Sequence, residues 1–304
     1  GGLIVSAFGW RAMFLLAAPV AVAALAGVGW LAPPRAAGID GARRTTHATD
    51  RPIDLLGLAL LALALIAALI AIRGGLDDVL GIVATLAVIP LTIAFVLAEL
   101  RIDHPAVDPR LLARPPFAAA LVGVFGLTVV LHGCFIVVPL LVERVQGGSP
   151  ATGGLVLLGI SALWAVAAPF GGRLSDVMGR RRPAVIGSAV AAVGLGLMWA
   201  YGATSGTLVL GILLAVVGFG MGLAGSPRQT AAMEAVEPER AGMAAGTYYT
   251  GRYLGGVVGA SLAGAVLGRA VTATGASTTF GLLALTAGLV VVASLWLPAR
   301  ARRA

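Results

Sequence analysis

Residues 172–182 read G-R-L-S-D-V-M-G-R-R-R, four arginines and one carboxylate between two long apolar stretches. The chemistry open to such a set is the making and breaking of ion pairs. Burying these charges in lipid is costly, so the segment must lie at a membrane face and needs a reason to be so charged. Asp176 ends one apolar stretch just before the next, which leaves two roles open. It can cap the free N–H groups of the following helix and meet the positive end of its dipole. Alternatively it joins Arg173, Arg180 and Arg181 in a charge network that closes a conformational gate, with Gly172 and Gly179 allowing the close turns this needs.

Other residues could do chemistry inside the apolar stretches. Arg252 is the strong ionisable residue placed within one; a guanidinium keeps its proton, so Arg252 either snorkels to the headgroups or faces inward to an acid or a cavity. His132 lies near the middle of its stretch, as a hydrogen-bonded structural histidine or as a proton-relay or substrate contact. Glu143 stands at the far end of the same stretch, either interfacial or drawing cations into a vestibule. Trp164, Tyr248 and Tyr249 either anchor helices or stack on flat molecules in a cavity. The spans contain no HExxH and no carboxylate pair at helical spacing, no loop follows a GxxxxGK pattern, and Cys134 is the lone cysteine. No catalytic residue, metal site or cofactor is therefore expected. A polytopic membrane enzyme stays as the weaker alternative to a transporter.

The elements that must position these residues follow from composition. The chain is 59% hydrophobic and 11% charged, carries 43 glycines and has a mean hydropathy of +0.99. That combination predicts an all-α integral membrane bundle whose partner is the lipid bilayer. The net charge of +8 is read as membrane topology and not as nucleic-acid binding. A window of about 20 residues, the length that spans hydrocarbon, predicts nine complete spans at 12–32, 55–72, 79–98, 117–142, 153–171, 184–202, 207–226, 241–267 and 278–297. Residues 1–8 read as the tail of a tenth. Alternate loops hold sixteen of the 21 arginines, Arg228 among them, and the opposite loops four. By the positive-inside rule the arginine-rich loops and the C-terminus are cytoplasmic. Gly251, Gly255, Gly259 and Ala263 recur every four residues, as do Gly218 and Gly222. Such stripes let helix backbones approach closely, and the longer one suggests a contact along which one element rocks against another.

Four stretches then resemble one family. Gly172-Arg173-Leu174-Ser175-Asp176-Val177-Met178-Gly179-Arg180-Arg181 is similar to the G-x-L-a-D-r-x-G-R-R/K signature of the major facilitator superfamily. Gly1-Gly2 through Gly9-Trp10-Arg11 and on to Pro19 resembles the second half of the antiporter motif. Pro139-Leu140 through Gln146-Gly147-Gly148-Ser149-Pro150 resembles the family's stretch after the ninth helix, with Glu143 where a glutamine is usual. Glu237-Pro238-Glu239-Arg240-Ala241-Gly242 through Arg252-Tyr253-Leu254-Gly255-Gly256 resembles the entry into the thirteenth. Together they point to the fourteen-helix drug:proton antiporters, with the first four helices and their coupling acid outside this sequence.

The resemblance implies the end of an N-terminal bundle at 1–32, a cytoplasmic linker at 33–54, an extra central helix pair at 55–99, a cytoplasmic loop at 100–117, a C-terminal six-helix bundle at 118–297 and a tail at 298–304. It implies a secondary transporter of the bacterial plasma membrane that exports small hydrophobic or cationic drugs. No cofactor is implied, the proton gradient being the energy source, and the loop at 172–182 holds the outward-facing state closed on the cytoplasmic side. Export of an amino acid, siderophore or lipid on the same scaffold is the alternative, since fold does not fix substrate.

Overall fold

A computed structural model describes residues 54–74, 78–102, 109–237, 240–268 and 271–299, with scattered positions between 9 and 27. The regular structure among these residues is helical. From Asp54 onward they form one compact unit of eight long helices: α1 (Leu55–Gly74), α2 (Val79–Arg101), α3 (Pro115–Leu140), α4 (Pro150–Met178), α5 (Arg181–Leu197), α6 (Thr207–Glu234), α7 (Ala241–Leu267) and α8 (Ala273–Ser294). The ends of α3 and α5 run on through wide turns at Leu141–Val145 and Met198–Gly202. In lipid every backbone polar group must be satisfied within its own segment, which is why so apolar a sequence becomes helix.

Local signals set the starts. Pro115 and Pro150 occupy first-turn positions, where the missing N–H would have been an orphan in any case. The hydroxyls of Ser149 and Thr272 accept the N–H groups of Thr152 and Gly275 at 3.2 and 3.0 Å. Outward faces carry exposed Leu86, Leu155 and Ile212, a liability in water and the proper surface in lipid.

Six described helices are long and apolar enough to cross a membrane: Val79–Arg101, Pro115–Val145, Pro150–Met178, Arg181–Gly202, Thr207–Glu234 and Ala273–Ser294. The apolar part of α1, Leu55–Ala71, is shorter. Helix α7 has 27 residues, but its glycines, threonines, tyrosines and Arg252 dilute its hydropathy. Of the nine expected spans, 12–32 falls largely outside the described residues, as do the 1–8 tail, most of the 33–54 linker, and Gly1, Gly2 and Trp10. Gly9 is described, at a φ of 76° just before helical Arg11.

Two helices outrun their expected ends. α4 continues to Met178 and α6 to Glu234, seven and eight residues past the places where hydropathy falls. Hydropathy marks where lipid ends, whereas a helix continues until its backbone is broken. Residues 172–178 are thus the last turns of α4, and the connection to α5 is only Gly179 and Arg180. Gly172 makes no turn, contrary to expectation. Gly179 does, with a φ of 83° that a side chain would strain.

Helix α6 packs against α4 and α5, α7 against α3, and α8 against α3 and α5, while α1 pairs with α2. The apolar core lies among α3, α4, α5, α6 and α8, including Val130, Ile160, Leu195, Leu214 and Phe280. On the α4–α6 seam, a Cβ at Gly222 would lie 2.5 Å from the Trp164 carbonyl oxygen, and one at Gly218 would strike the Ile160 carbonyl. The α7 stripe meets the Phe125 and Val129 carbonyls of α3 at Gly255 and Gly259. That stripe, expected as a rocking contact, joins two helices of the same compact unit.

Gly218→Ala tests this seam. Alanine is favoured over glycine by roughly 1 kcal/mol in an open helix interior, so Gly225→Ala, which meets open space, should leave the melting temperature in detergent unchanged or raised. Gly218→Ala should lower it, because overpacking against the Ile160 carbonyl costs about 1–3 kcal/mol. Equal melting temperatures for the two variants would contradict the close approach.

Candidate functional site

Arg180 organises the end of the unit where α4 meets α5. Its side chain is 8% exposed. Nη1 donates to Ser175 Oγ and Asp176 Oδ1, both at 2.8 Å, and the other edge of the fork engages Glu234 of α6 through Nη2–Oε1 at 2.7 Å and Nε–Oε2 at 3.2 Å. Two parallel bonds to one carboxylate make the strong, oriented form of this contact. The hydrogen bond to Glu234, more than any other cause, holds the Arg180 guanidinium above the ordinary arginine range. The α4–α5 turn is thereby tied to the end of α6, and the N–H of Arg181 donates to the Pro298 carbonyl at 3.0 Å.

A surface tie closes the α6–α7 turn beside it. Arg114 donates to the Ala235 carbonyl at 2.8 Å and to Glu237 at 3.3 Å. Its own backbone N–H, and then Arg114, hold the exposed Glu237 carboxyl below the usual range. A depressed carboxyl of this kind stabilises the fold above its unfolded pKa, and the contribution is lost as pH falls through the lowered value.

Away from this lock, α3, α4 and α7 line an open cavity of about 820 Å³ bordered by Leu131, His132, Phe135, Trp164, Arg252 and Tyr253 among others. A smaller chamber of about 240 Å³ adjoins it, sharing Trp164, Ala168 and Arg252 and reaching Thr128, Arg228 and Tyr248. His132 Nδ1 lies 3.0 Å from the Thr128 carbonyl. A carbonyl only accepts, so Nδ1 carries the hydrogen and Nε2 is the ring atom able to take a proton. Thr128 Oγ1 lies 2.8 Å from the Arg252 carbonyl, joining α3 to α7. Arg228 is 1% exposed, with Nη2 donating to Ser188 Oγ at 2.8 Å and Ser294 Oγ at 3.2 Å.

A helical membrane bundle with a charge lock at one end and a cavity on one face matches the profile of the Major Facilitator Superfamily over residues 1–260. The chain belongs to the Major Facilitator Superfamily. It is 29% identical over 280 residues to the multidrug resistance protein Stp of Mycobacterium tuberculosis strain H37Rv, covering 90% of this chain and 50% of that protein. It is 30% identical over 272 residues to the drug efflux pump JefA of the same strain, covering 88% and 51%. It is 27% identical over 277 residues to the quinolone resistance protein NorB of Staphylococcus aureus strain MRSA252, covering 88% and 57%. The chain spans about half the length of the curated relatives it matches.

Within this superfamily member, His132, Trp164 and Arg252 line one cavity, and Tyr248 lines the chamber beside it. Tyr249 lines neither; it stacks edge-on against Tyr248, and its hydroxyl accepts from Gln229 Nε2 at 3.0 Å. Glu143 sits in the wide turn after α3, away from both. Asp176 caps no helix: it lies in the last turn of α4, and the residue before α5 is Arg180, which makes no capping bond. Arg173 and Arg181 form no ion pair among the described residues, so of the expected network only Asp176 and Arg180 meet.

Two residues escaped the sequence reading. Hydropathy gives Glu234 no place in a span or motif and puts Arg228 in a loop, leaving Arg252 as the strong ionisable residue within a span. Both misreadings come from ending the span at 226. The signal was present in Gln229-Thr230-Ala231-Ala232-Met233-Glu234, a run of mostly good helix formers without a breaker.

The geometry ranks the two carboxylates of the lock. Asp176 is 74% exposed and Glu234 25%. Asp176→Ala should cost about 0–1 kcal/mol, as exposed pairs do. Glu234→Ala strips the main partner from a buried guanidinium and should cost roughly 3 kcal/mol or more. Thermal unfolding of both variants in detergent checks the order, and a larger loss for Asp176→Ala would overturn it.

Proposed function

We propose that the chain is the C-terminal part of a fourteen-helix, proton-driven exporter of small organic molecules working by alternating access in a bacterial plasma membrane. The observation that carries this reading is the cavity of about 820 Å³ on the face of α3, α4 and α7, with His132, Trp164 and Arg252 in its wall. Transporters of this architecture bind substrate between two halves, and access alternates as the halves rock. In this reading 1–32 ends the first half, α1 and α2 are the extra central pair, α3–α8 are the second half, and the arginine-rich connections face the cytoplasm. The names of the relatives, which speak of multidrug resistance, drug efflux and quinolone resistance, support drug-like cargo. The lining offers apolar wall and one flat indole for such a guest.

The Arg180 lock holds the ends of α4, α5 and α6 as a single body, so that the second half moves as one piece. His132 takes and releases the coupling proton at Nε2, while its Nδ1–H stays on Thr128.

The product of the complete gene, expressed in a host stripped of its own drug pumps, should lower accumulation of at least one dye of a pair made of anionic carboxyfluorescein and cationic ethidium, and a protonophore should abolish the difference from an empty-vector control. His132→Gln should slow proton-driven efflux at least about tenfold, in line with loss of a positioned proton carrier, yet retain exchange of labelled for unlabelled substrate. Accumulation of both dyes equal to the control at matched membrane expression would sink the exporter reading. Undiminished proton-driven efflux in His132→Gln would remove the histidine from the coupling step.

A further inference from the structure

Arg228 is a guanidinium taken out of water without a counter-charge. The two hydroxyls that hold its Nη2 are neutral, and each is itself anchored, Ser188 donating to the Ala184 carbonyl and Ser294 to the Val290 carbonyl, both at 2.7 Å. Nε is buried with no hydrogen-bond partner. Room for the group is made by Gly123 of α3, where a Cβ would strike Arg228 Nε and lie 2.5 Å from Cδ. A small residue on one helix, hydroxyls on two others and a buried cation make a constructed position and not a side chain caught on its way to the surface.

The same chamber holds a second cation. Arg252, half-buried on α7, lines it with Arg228 and also lines the larger cavity. Neither arginine makes an ion pair among the described residues, and no described carboxylate lines either space. The acids at the neighbouring helix ends are engaged elsewhere, Asp176 and Glu234 by Arg180 and Glu237 by Arg114 and Arg240. Two guanidinium groups and no acid give this chamber a positive field in a low-dielectric wall, where charge–charge attraction is strong.

We propose that Arg228 and Arg252 form an anion subsite in the smaller chamber, which takes the carboxylate, sulfonate or phosphate head of an amphiphilic organic anion while its apolar body lies along Trp164 in the larger cavity. This rests on reading the cavity as a transport site, and it narrows the cargo from hydrophobic or cationic drugs to anionic amphiphiles. Such a guest uses both spaces at once. A protein carboxylate entering the chamber would fill the smaller space only and leave the larger wall unexplained.

Binding separates this proposal from the transport reading. The product of the complete gene, in nanodiscs of phosphatidylcholine, is titrated by calorimetry at pH 7 and low salt with naphthalene-2-sulfonate and with neutral naphthalene-2-sulfonamide. The sulfonate should bind at least about tenfold tighter, the ratio a charge-assisted contact commands. Arg252→Gln, on the cavity wall, should collapse that ratio by weakening the sulfonate at least several-fold more than the sulfonamide. Arg228→Gln should do the same, and if it fails to fold, Arg252→Gln still decides. Replacing part of the lipid with phosphatidylglycerol distinguishes the sources: weaker sulfonate binding identifies a lipid headgroup as occupant, unchanged binding a free solute, and both keep the subsite. Equal affinities, or a ratio that survives Arg252→Gln, would overturn it. So would a sulfonate preference in the 304-residue chain that vanishes in the complete product, since the counter-charge would then be a carboxylate of the protein. Dye efflux lost with the sulfonate preference intact would instead count against the exporter reading alone.

Discussion

The balance of one buried charge governs the arrangement of α4, α5 and α6. Arg180 reaches almost no water, and its guanidinium is tolerable only because side chains from α4 and α6 surround it. A buried cation of this kind contributes little net stability compared with an apolar packing of the same volume, but it penalises any arrangement in which a partner is missing. Its effect is therefore on register: α6 must end where Glu234 can meet the α4–α5 turn. The same register brings Gly218 and Gly222 against the Ile160 and Trp164 carbonyls, and so sets Trp164 and Ala168 in the wall of the cavity. In a medium that supplies little hydrophobic force between helices, close backbone contact and a specific polar tie are the means available for fixing such a seam.

How far the sequence revealed this depends on what each signal measures. Eight described helices stand where apolar windows predicted them, because insertion in lipid is a property of a segment's own composition. The ends of α4 and α6 were misplaced because polarity at 172–178 and 227–234 marks exit from lipid, not exit from the helix. That single error hid Glu234, turned Arg228 into a loop residue and made Asp176 look like a cap. Arg180 was legible as part of the charged motif, but its main partner lies 54 residues away, a pairing that only the α4–α6 seam creates.

The cavity shows the opposite pattern. His132, Trp164 and Arg252 could each be picked out as polar or aromatic residues in apolar helices, yet nothing in the spacing says that they share a space. Which face of a helix looks inward is decided by packing. Helix α3 is apolar nearly all round and so carries no directional signal of its own. Helix α7 carries the better clue, in retrospect, through its low hydropathy. A membrane helix with glycines on one side and Tyr248, Arg252 and Tyr253 on others is poorly suited to lipid, and it is placed where one side meets α3 and another meets a cavity.

The arginines of this bundle fall into two physical classes, and the distinction bears on function more than their number does. Arg180 is buried and neutralised, with four of its N–H groups engaged by Ser175, Asp176 and Glu234, so its charge is committed to holding structure. Arg228 is buried and solvated only by hydroxyls, beside a chamber that Arg252 also faces. Retaining an uncompensated guanidinium in so apolar a fold is costly, and removing it would be a simple substitution to an aliphatic side chain. Leucine there would need neither the room at Gly123 nor the hydroxyls of Ser188 and Ser294, at the loss of the tie that Arg228 makes from α6 to α5 and α8. Under the anion-subsite proposal a negative group entering the chamber offsets that cost, so the charge of the guest is a property this chamber selects for.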